Sequence, residues 1–368
     1  MSMLSHEQIA VPRNPLMSGM SSAETSSYRD PLDAEEAAQW DAWVQSHRTS
    51  TVFHTASWAR VLFETYGYRP FYSATEDDSG DRALVPMMEV RSVLTGTRGV
   101  SLPFTDECGP LCESETSHAD TVQRALDLGR DRGWKTLEFR GSIGTDTPAS
   151  ESFYGHRLAL DAGEEALWSG LSSNTRRNVR KAIKEGVEIE QVTSAEGMRT
   201  YYDLHCTTRK RQGVPPQPLA FFMNIQKHLL EERLGFILIA RSDGQPVAGA
   251  VYLTHGTQAI YKFGASDYRH QNLRANVLVM WEAIKRLAAD GVETFSFGRT
   301  DIPHDGLRRF KLGFGAEEYP IHYHRLDVKS GEFAEDVATA SGRMEGVFRT
   351  FPVPVLRAIG SALYRHMG

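Results

Sequence analysis

The chain has 368 residues, 40% hydrophobic and 24% charged, enough for about two domains with cores of their own and unlike the composition of a disordered chain. Lys plus Arg number 41 against 47 Asp plus Glu, a net charge of −6 that excludes coating duplex nucleic acid with the whole surface and confines any basic site to a local patch. Three cysteines, Cys108, Cys112 and Cys206, are too few for a disulfide framework and suit a reducing, cytoplasmic setting.

Residues 1–30 show no hydrophobic periodicity and no apolar segment of the kind a secretory signal needs, so they read as a disordered leader. Asp33 to Ser46 is predicted as a capped helix with Ala37, Trp40 and Val44 on one face, and Ala56 to Tyr66 as a second with Trp58, Val61 and Leu62 inward. Strand-like runs follow at Phe71–Thr75, Leu84–Val90 and Gly99–Leu102, then a helix at about 119–132 and the strand Thr136–Phe139. The second half repeats this order: strands Phe236–Ala240, Val247–Thr254 and Gln258–Phe263, a helix Asn276–Asp290, and the strand Thr294–Phe297. Gly133-Trp-Lys-Thr-Leu-Glu-Phe139 lies over Gly291-Val-Glu-Thr-Phe-Ser-Phe297, the signature of a duplicated β-β-β-α-β unit. The expected architecture is therefore α/β (α+β), with units at 31–160 and 161–330. Each is a mixed, mainly antiparallel sheet flanked by helices, and the substrate cleft lies between them.

Between the halves, Leu171 to Lys184 reads as a helix capped by Ser172 or Ser173, with Arg177, Arg180, Lys181 and Lys184 on one face. No carboxylate is interleaved before Glu185, which favours a phosphate-binding helix over a merely solvated face. The tail, 331–368, ends in a basic amphipathic helix with Val355, Ile359, Leu363 and Met367 in one row. It is expected to dock on the first domain or on a membrane surface. Cys108 and Cys112 lack a second ligand pair, and His322 and His324 alternate along one strand, so no metal is assigned.

Five blocks give the chain a family likeness: Val52-Phe-His-Thr-Ala-Ser-Trp-Ala-Arg60, Cys108-Gly-Pro110, Lys184-Glu-Gly-Val-Glu-Ile189, Arg211 to Phe222, and Tyr261-Lys-Phe-Gly-Ala-Ser266 followed by Phe310-Lys-Leu-Gly-Phe-Gly315. In their order and spacing the chain resembles the FemAB family of aminoacyltransferases (FemX-like, without the coiled-coil arm), built from two GNAT-like, acetyltransferase-type domains. The resemblance implies transfer of an aminoacyl group from aminoacyl-tRNA to an amine of a peptidoglycan or other cell-envelope precursor, UDP- or lipid-linked. No cofactor or DNA is involved, and the site of action is the cytoplasm or the inner face of the membrane. It assigns the oxyanion-stabilising cation to Lys311, preceded by Phe310, and phosphate contacts to Lys181, with Arg177 and Arg180 beside it, and to Arg60. Leu62 stands where a second basic residue is common, and Arg140 or Gly141 where relatives place a carboxylate. Asp301 and Asp305 are candidate acid/base replacements. Arg269, Arg274, Arg299, Tyr261 and Arg140 complete the donor-side and cleft candidates.

Two rival readings remain at the level of sequence. A GNAT-type N-acyltransferase would draw on acyl-CoA, with an amino sugar of exopolysaccharide as acceptor. The stretch Gln271-Asn-Leu-Arg-Ala-Asn276, however, puts Arg274 and Asn276 where a CoA cradle needs glycines. The second rival is a catalytically degenerate binding protein, against which the Phe310-Lys311 pair stands.

Overall fold

A computed structural model describes residues 28–76, 82–112, 115–144, 147–334 and 345–368. Helices α1 (Ala34–Ser46) and α2 (Ala56–Tyr66) open the chain. Asp33 accepts from the amides of Glu35 and Glu36, Thr55 caps α2, and Gly67, at φ 71°, ends it in the left-handed conformation that a side chain disfavours. Strands β2 (Arg69–Glu76), β3 (Arg82–Ser92) and β4 (Gly96–Ser101), helix α3 (Glu115–Arg132) and strand β5 (Thr136–Arg140) complete the first unit. The leader expected over 1–30 lies outside the described residues except at its end, where β1 (Tyr28–Arg29) pairs with Ser73 and Tyr72.

After β6 (Glu151–Ala159) and α4 (Glu164–Gly170) come the basic helix α5 (Ser173–Lys184), β7 (Glu188–Val192), α6 (Ala195–Gln212) and α7 (Leu219–Ile225). The second unit then runs β8 (Gly235–Ser242), β9 (Gln245–His255), β10 (Gln258–Ser266), α8 (Ala275–Ala289) and β11 (Thr294–Ser296). The bridge pair β12 (Thr300–Asp301), helix α9 (Asp305–Leu312), strand β13 (Glu317–Asp327) and the tail helix α10 (Val353–Leu363) follow.

The thirteen strands of the described residues join one sheet, in the order β1-β2-β3-β4-β5-β13-β6-β11-β10-β9-β8-β7, with β12 on β6. Among the described residues only two pairs are parallel, β4 with β5 (Arg98 opposite Thr136) and β10 with β11 (Gln258 opposite Thr294). A parallel pair needs a crossover, supplied by α3 in one unit and α8 in the other, so the duplication read in the sequence is present in the hydrogen bonding. The two units exchange their last strands. β6, at the end of the expected 31–160 segment, pairs with β11 (Thr294 opposite Ala159), while β13, from the 161–330 segment, pairs with β5 (Tyr323 opposite Arg140). β6 and β13 also pair with each other, closing the seam.

Side-chain alternation along β8 and β9 serves two cores. Ile237, Ile239, Val251 and Leu253 join α2, α6 and α7 on one face, and Leu238, Ala240, Ala250 and Tyr252 join α5 and α8 on the other. In the tail, the row that packs is Leu356, Gly360 and Tyr364 rather than the expected Val355, Ile359, Leu363 and Met367. The cause is local: a Cβ at position 360 would overlap the Pro216 carbonyl, so the glycine lets the helix press against that turn. The tail contacts both units, Arg357 pairing with Asp203 at 2.6 Å and the Tyr68 hydroxyl donating to the Tyr364 carbonyl at 3.1 Å.

Candidate active site

Past Ile260 and Ser296 the parallel pair β10/β11 separates, and the loop Phe297-Gly-Arg299 turns away from the sheet. Gly298 has φ 69°, and a Cβ there would sit 2.9 Å from the Asp106 carboxylate, so glycine is required both for the turn and for the approach. Lys311, on the inner side of α9, is 1% exposed and donates to the carbonyls of Gly298 at 2.7 Å and Arg299 at 2.9 Å. Burial pushes its pKa down to about 8, against the pull of Asp106 and Asp301. An ammonium has three N–H donors, so two backbone carbonyls leave one for an incoming oxygen. Phe310 packs edge-on against Phe314 and holds this helix on the core.

The amide side of the same loop belongs to the other unit. Asp106, from the segment after β4, accepts from the Arg299 amide at 3.1 Å and from Lys262 Nζ at 2.5 Å. Burial works against its charge, but Lys262 and Arg299 together hold its pKa below the ordinary carboxylate value. Lys262 lies over Phe53 and Phe263, and burial pushes its pKa down. The Arg299 guanidinium stacks on Phe153 at 4.3 Å and donates to the Tyr323 hydroxyl at 3.1 Å, which in turn donates to the Asp106 carbonyl at 2.8 Å. Arg140 shares the Tyr323 ring and pairs with Glu138 at 2.8 Å.

Beside this network opens a cleft of about 620 Å³, walled by both units, with Asp106, Glu107, His54, Arg157, Ser296 and Tyr319 among its lining. The Glu107 carboxyl accepts from the Tyr319 hydroxyl at 3.2 Å, and burial raises its pKa. Arg157 lies over the Tyr319 ring at 4.6 Å, and Gly155 leaves the room that ring occupies. Burial holds His54 near a pKa of about 4, so it is neutral, bonded to the Gly109 carbonyl at 3.0 Å.

Of the residues expected from sequence, Lys311, Phe310, Arg299 and Arg140 gather around one loop and one tyrosine. Tyr261 lies half-buried beside Tyr252, with its pKa pushed by burial to about 12. The expected phosphate contacts do not come together. Arg60 is on α2, whose core is on one face of the sheet, while Arg177, Arg180 and Lys181 are on α5 against the opposite face; none of the four lines the cleft, and Lys311, Phe310, Arg299 and Arg140 sit behind its wall rather than in its lining. Arg269 is turned to Asp267 at 2.6 Å, and Arg274 is an exposed residue with φ 59° just before α8. Sequence reasoning missed Asp106, Glu107, Lys262 and Tyr319. Lys262 lies inside the block Tyr261 to Ser266, and Asp106 and Glu107 immediately precede the block Cys108-Gly-Pro110, so a search for charged residues within and just before those blocks would have found three of the four.

Residues 171–319 match the family model described as an acetyltransferase (GNAT) domain. Among solved structures, FemX superposes with a TM-score of 0.63 at 14% identity, covering 77% of this chain and 95% of that one. The chain has the tandem GNAT fold. A tandem GNAT protein from the clavulanic acid biosynthesis pathway superposes on it with a TM-score of 0.51 at 12% identity, over 82% of this chain and 98% of its own. In sequence, the chain is 20% identical to the lipid II:glycine glycyltransferase of Staphylococcus haemolyticus over 80% of its own length and 90% of the relative's. The same enzyme of Staphylococcus aureus is 19% identical over the same shares.

Proposed function

We propose that this protein is an acyltransferase that moves an aminoacyl group from aminoacyl-tRNA to an amine of a lipid-linked peptidoglycan precursor. The observation that carries the reading is the buried Lys311 ammonium, fixed by two carbonyls at the point where β10 and β11 part, with a donor to spare. In the reaction the amine nitrogen attacks the ester carbonyl, a C–N bond forms, the ester C–O bond breaks, and the ribose oxygen leaves with a proton. Lys311 stabilises the oxyanion of the tetrahedral intermediate. Glu107, half-buried in the cleft, takes the proton that the amine loses and returns it to the departing ribose oxygen. Asp106 and Lys262 hold the loop that presents both carbonyls to Lys311, and the cleft, open to both units, receives the acceptor. The similarity to lipid II:glycine glycyltransferases over most of both chains supports this acceptor class. The test offers purified protein charged tRNA or acyl-CoA, with a lipid-linked precursor, its UDP-linked counterpart or an amino sugar, and follows amide formation by mass spectrometry. Product that depends on acyl-CoA and not on charged tRNA overturns the donor assignment.

A further inference from the structure

We propose that the outer surface formed by α5 and α9 is a docking face for an anionic lipid bilayer. The face is continuous: the Ser172 amide at the start of α5 donates to the Gly313 carbonyl at the end of α9 at 2.9 Å, and Gly313 is pressed against Thr175. From α5 it presents Arg177, Arg180 and Lys184 to solvent, with Arg176 and Lys181 half-exposed, and from α9 it presents Arg309. The contacts of these arginines are neutral. Arg176 donates to the Ser169 carbonyl, Arg177 to the Asn174 amide oxygen, and Arg180 lies over the Trp168 ring. Among the described residues none of these cations is in an ion pair, and the exposed carboxylates on the same elements, Glu185 at the end of α5 and Asp305 at the start of α9, stand at their ends.

Large aliphatic side chains are exposed on the same elements: Ile183 (58%) on α5, Leu307 (40%) and Leu312 (38%) on α9, and Ile302 (51%) in the segment just before it. A soluble phosphate needs no such neighbours, and single-stranded nucleic acid is gripped by aromatic platforms rather than by aliphatic ones. Cations interleaved with exposed aliphatics are the chemistry of an anionic headgroup region over acyl chains. No helix among the described residues is long and apolar enough to cross a membrane, so the contact is peripheral. The tail helix is the weaker platform, since Leu356, Gly360 and Tyr364 are spent on packing. Lys311 lies on the inner side of α9, so docking would bring headgroups within one helix of the site. That last link alone rests on the acyl-transfer reading.

The test is co-sedimentation of the full chain with phosphatidylcholine vesicles with and without phosphatidylglycerol. Binding is expected to the anionic vesicles and to fall as salt rises. At roughly fivefold per cation, the combined variant R177E/R180E/K184E loses about a hundredfold or more in partitioning. The variant I183S/L312S keeps the salt-sensitive part and loses binding at high salt. Both variants alter exposed positions, and a melting curve matching the parent's confirms that they fold. Absence of binding to anionic vesicles, or binding indifferent to the charge reversals, overturns the proposal. So does tight binding of a short single-stranded RNA that the same reversals abolish while vesicles are ignored. Binding is read without catalysis, so vesicle binding without amide formation would sink the acyl-transfer reading alone.

Discussion

Replacing Lys311 by Met removes the ammonium while keeping most of the side-chain volume, and both activity and stability respond in calculable directions. Loss of one oxyanion donor from a buried site lowers the rate by roughly 10²–10³, or about 3–4 kcal/mol. Folding responds in the opposite sense. The distance from the ordinary 10.5 to about 8 represents roughly 3 kcal/mol of penalty for holding this ammonium in the interior at neutral pH. As pH climbs from about 8 to 10.5 the native state sheds this proton before the unfolded chain does, so the parent gains up to that amount of stability, whereas Lys311→Met has nothing to shed. The Met variant escapes the penalty but leaves the Gly298 and Arg299 carbonyls short of a donor, a loss of similar size, so its melting temperature at pH 7 stays within a few degrees of the parent's. Catalysis by the parent requires the charged form, so turnover falls as pH rises through about 8. Lys311→Arg stays charged and loses that alkaline limb. The assay is initial-rate amide formation by mass spectrometry from pH 6 to 9.5, with urea unfolding over the same range. A Met variant retaining a third of parental turnover, or an alkaline limb unchanged in Lys311→Arg, would refute the role.

Glu107→Gln removes the proposed proton acceptor. Burial raises the parent's carboxyl pKa, so activity falls with acidification through a value above the ordinary 4.5. The variant lacks this acid limb and loses roughly 10²-fold in kcat with little change in KM, measured as a pH–rate profile. Asp106→Asn strands Lys262 in the interior without its counter-charge and lowers unfolding free energy by about 3–5 kcal/mol in a urea titration. Adding Lys262→Met to Asp106→Asn recovers most of that loss, and failure to recover it would deny the pair its structural role. Gly298→Ala sets a side chain at φ 69° and 2.9 Å from the Asp106 carboxylate, at a price of about 1–3 kcal/mol by thermal melting and a fall in rate from displacement of the Lys311 carbonyls.

The helices α1, α2, α3, α5 and α8 and most strands were legible because each rests on local chemistry, such as the caps at Asp33 and Ser172 and the apolar rows Ala37, Trp40, Val44 and Trp58, Val61, Leu62, whereas α4, α6, α7 and α9 were not read. The motif around Lys311 was legible because Phe310, Lys311 and the glycines beyond it are contiguous. The pairing partners were not, because nothing in the composition of β6 or β13 distinguishes a strand that closes its own unit from one that crosses to the other. The basic side chains show the same limit from the other direction. Helical spacing correctly put Arg177, Arg180 and Lys181 on one helix, but which face of the sheet that helix covers depends on the alternation within β8 and β9, to which α5 contributes no sequence signal.

The strand exchange also accounts for why the proposed chemistry falls to one unit. In the first unit the opening past β4 and β5 is closed, since the Cys108 amide donates to the Arg140 carbonyl at 2.6 Å and β13 pairs along the free side of β5. The segment that closes it, 102–112, is the one that delivers Asp106 to the loop of the second unit and Glu107 to the cleft. In the second unit β11 is only three residues long, and β6 leaves it to pair with β12 and β13, while Lys311 is buried against the loop that follows β11. One copy has thus become a wall and a source of carboxylates for the other. The two units are consequently expected to unfold in one transition: destabilising the Asp106–Lys262 pair should shift the near-ultraviolet signal from Trp58 and Trp134 in the first unit and Trp281 in the second by the same denaturant increment. Separate midpoints for tryptophan variants that report on each unit would show that the exchanged strands do not couple them.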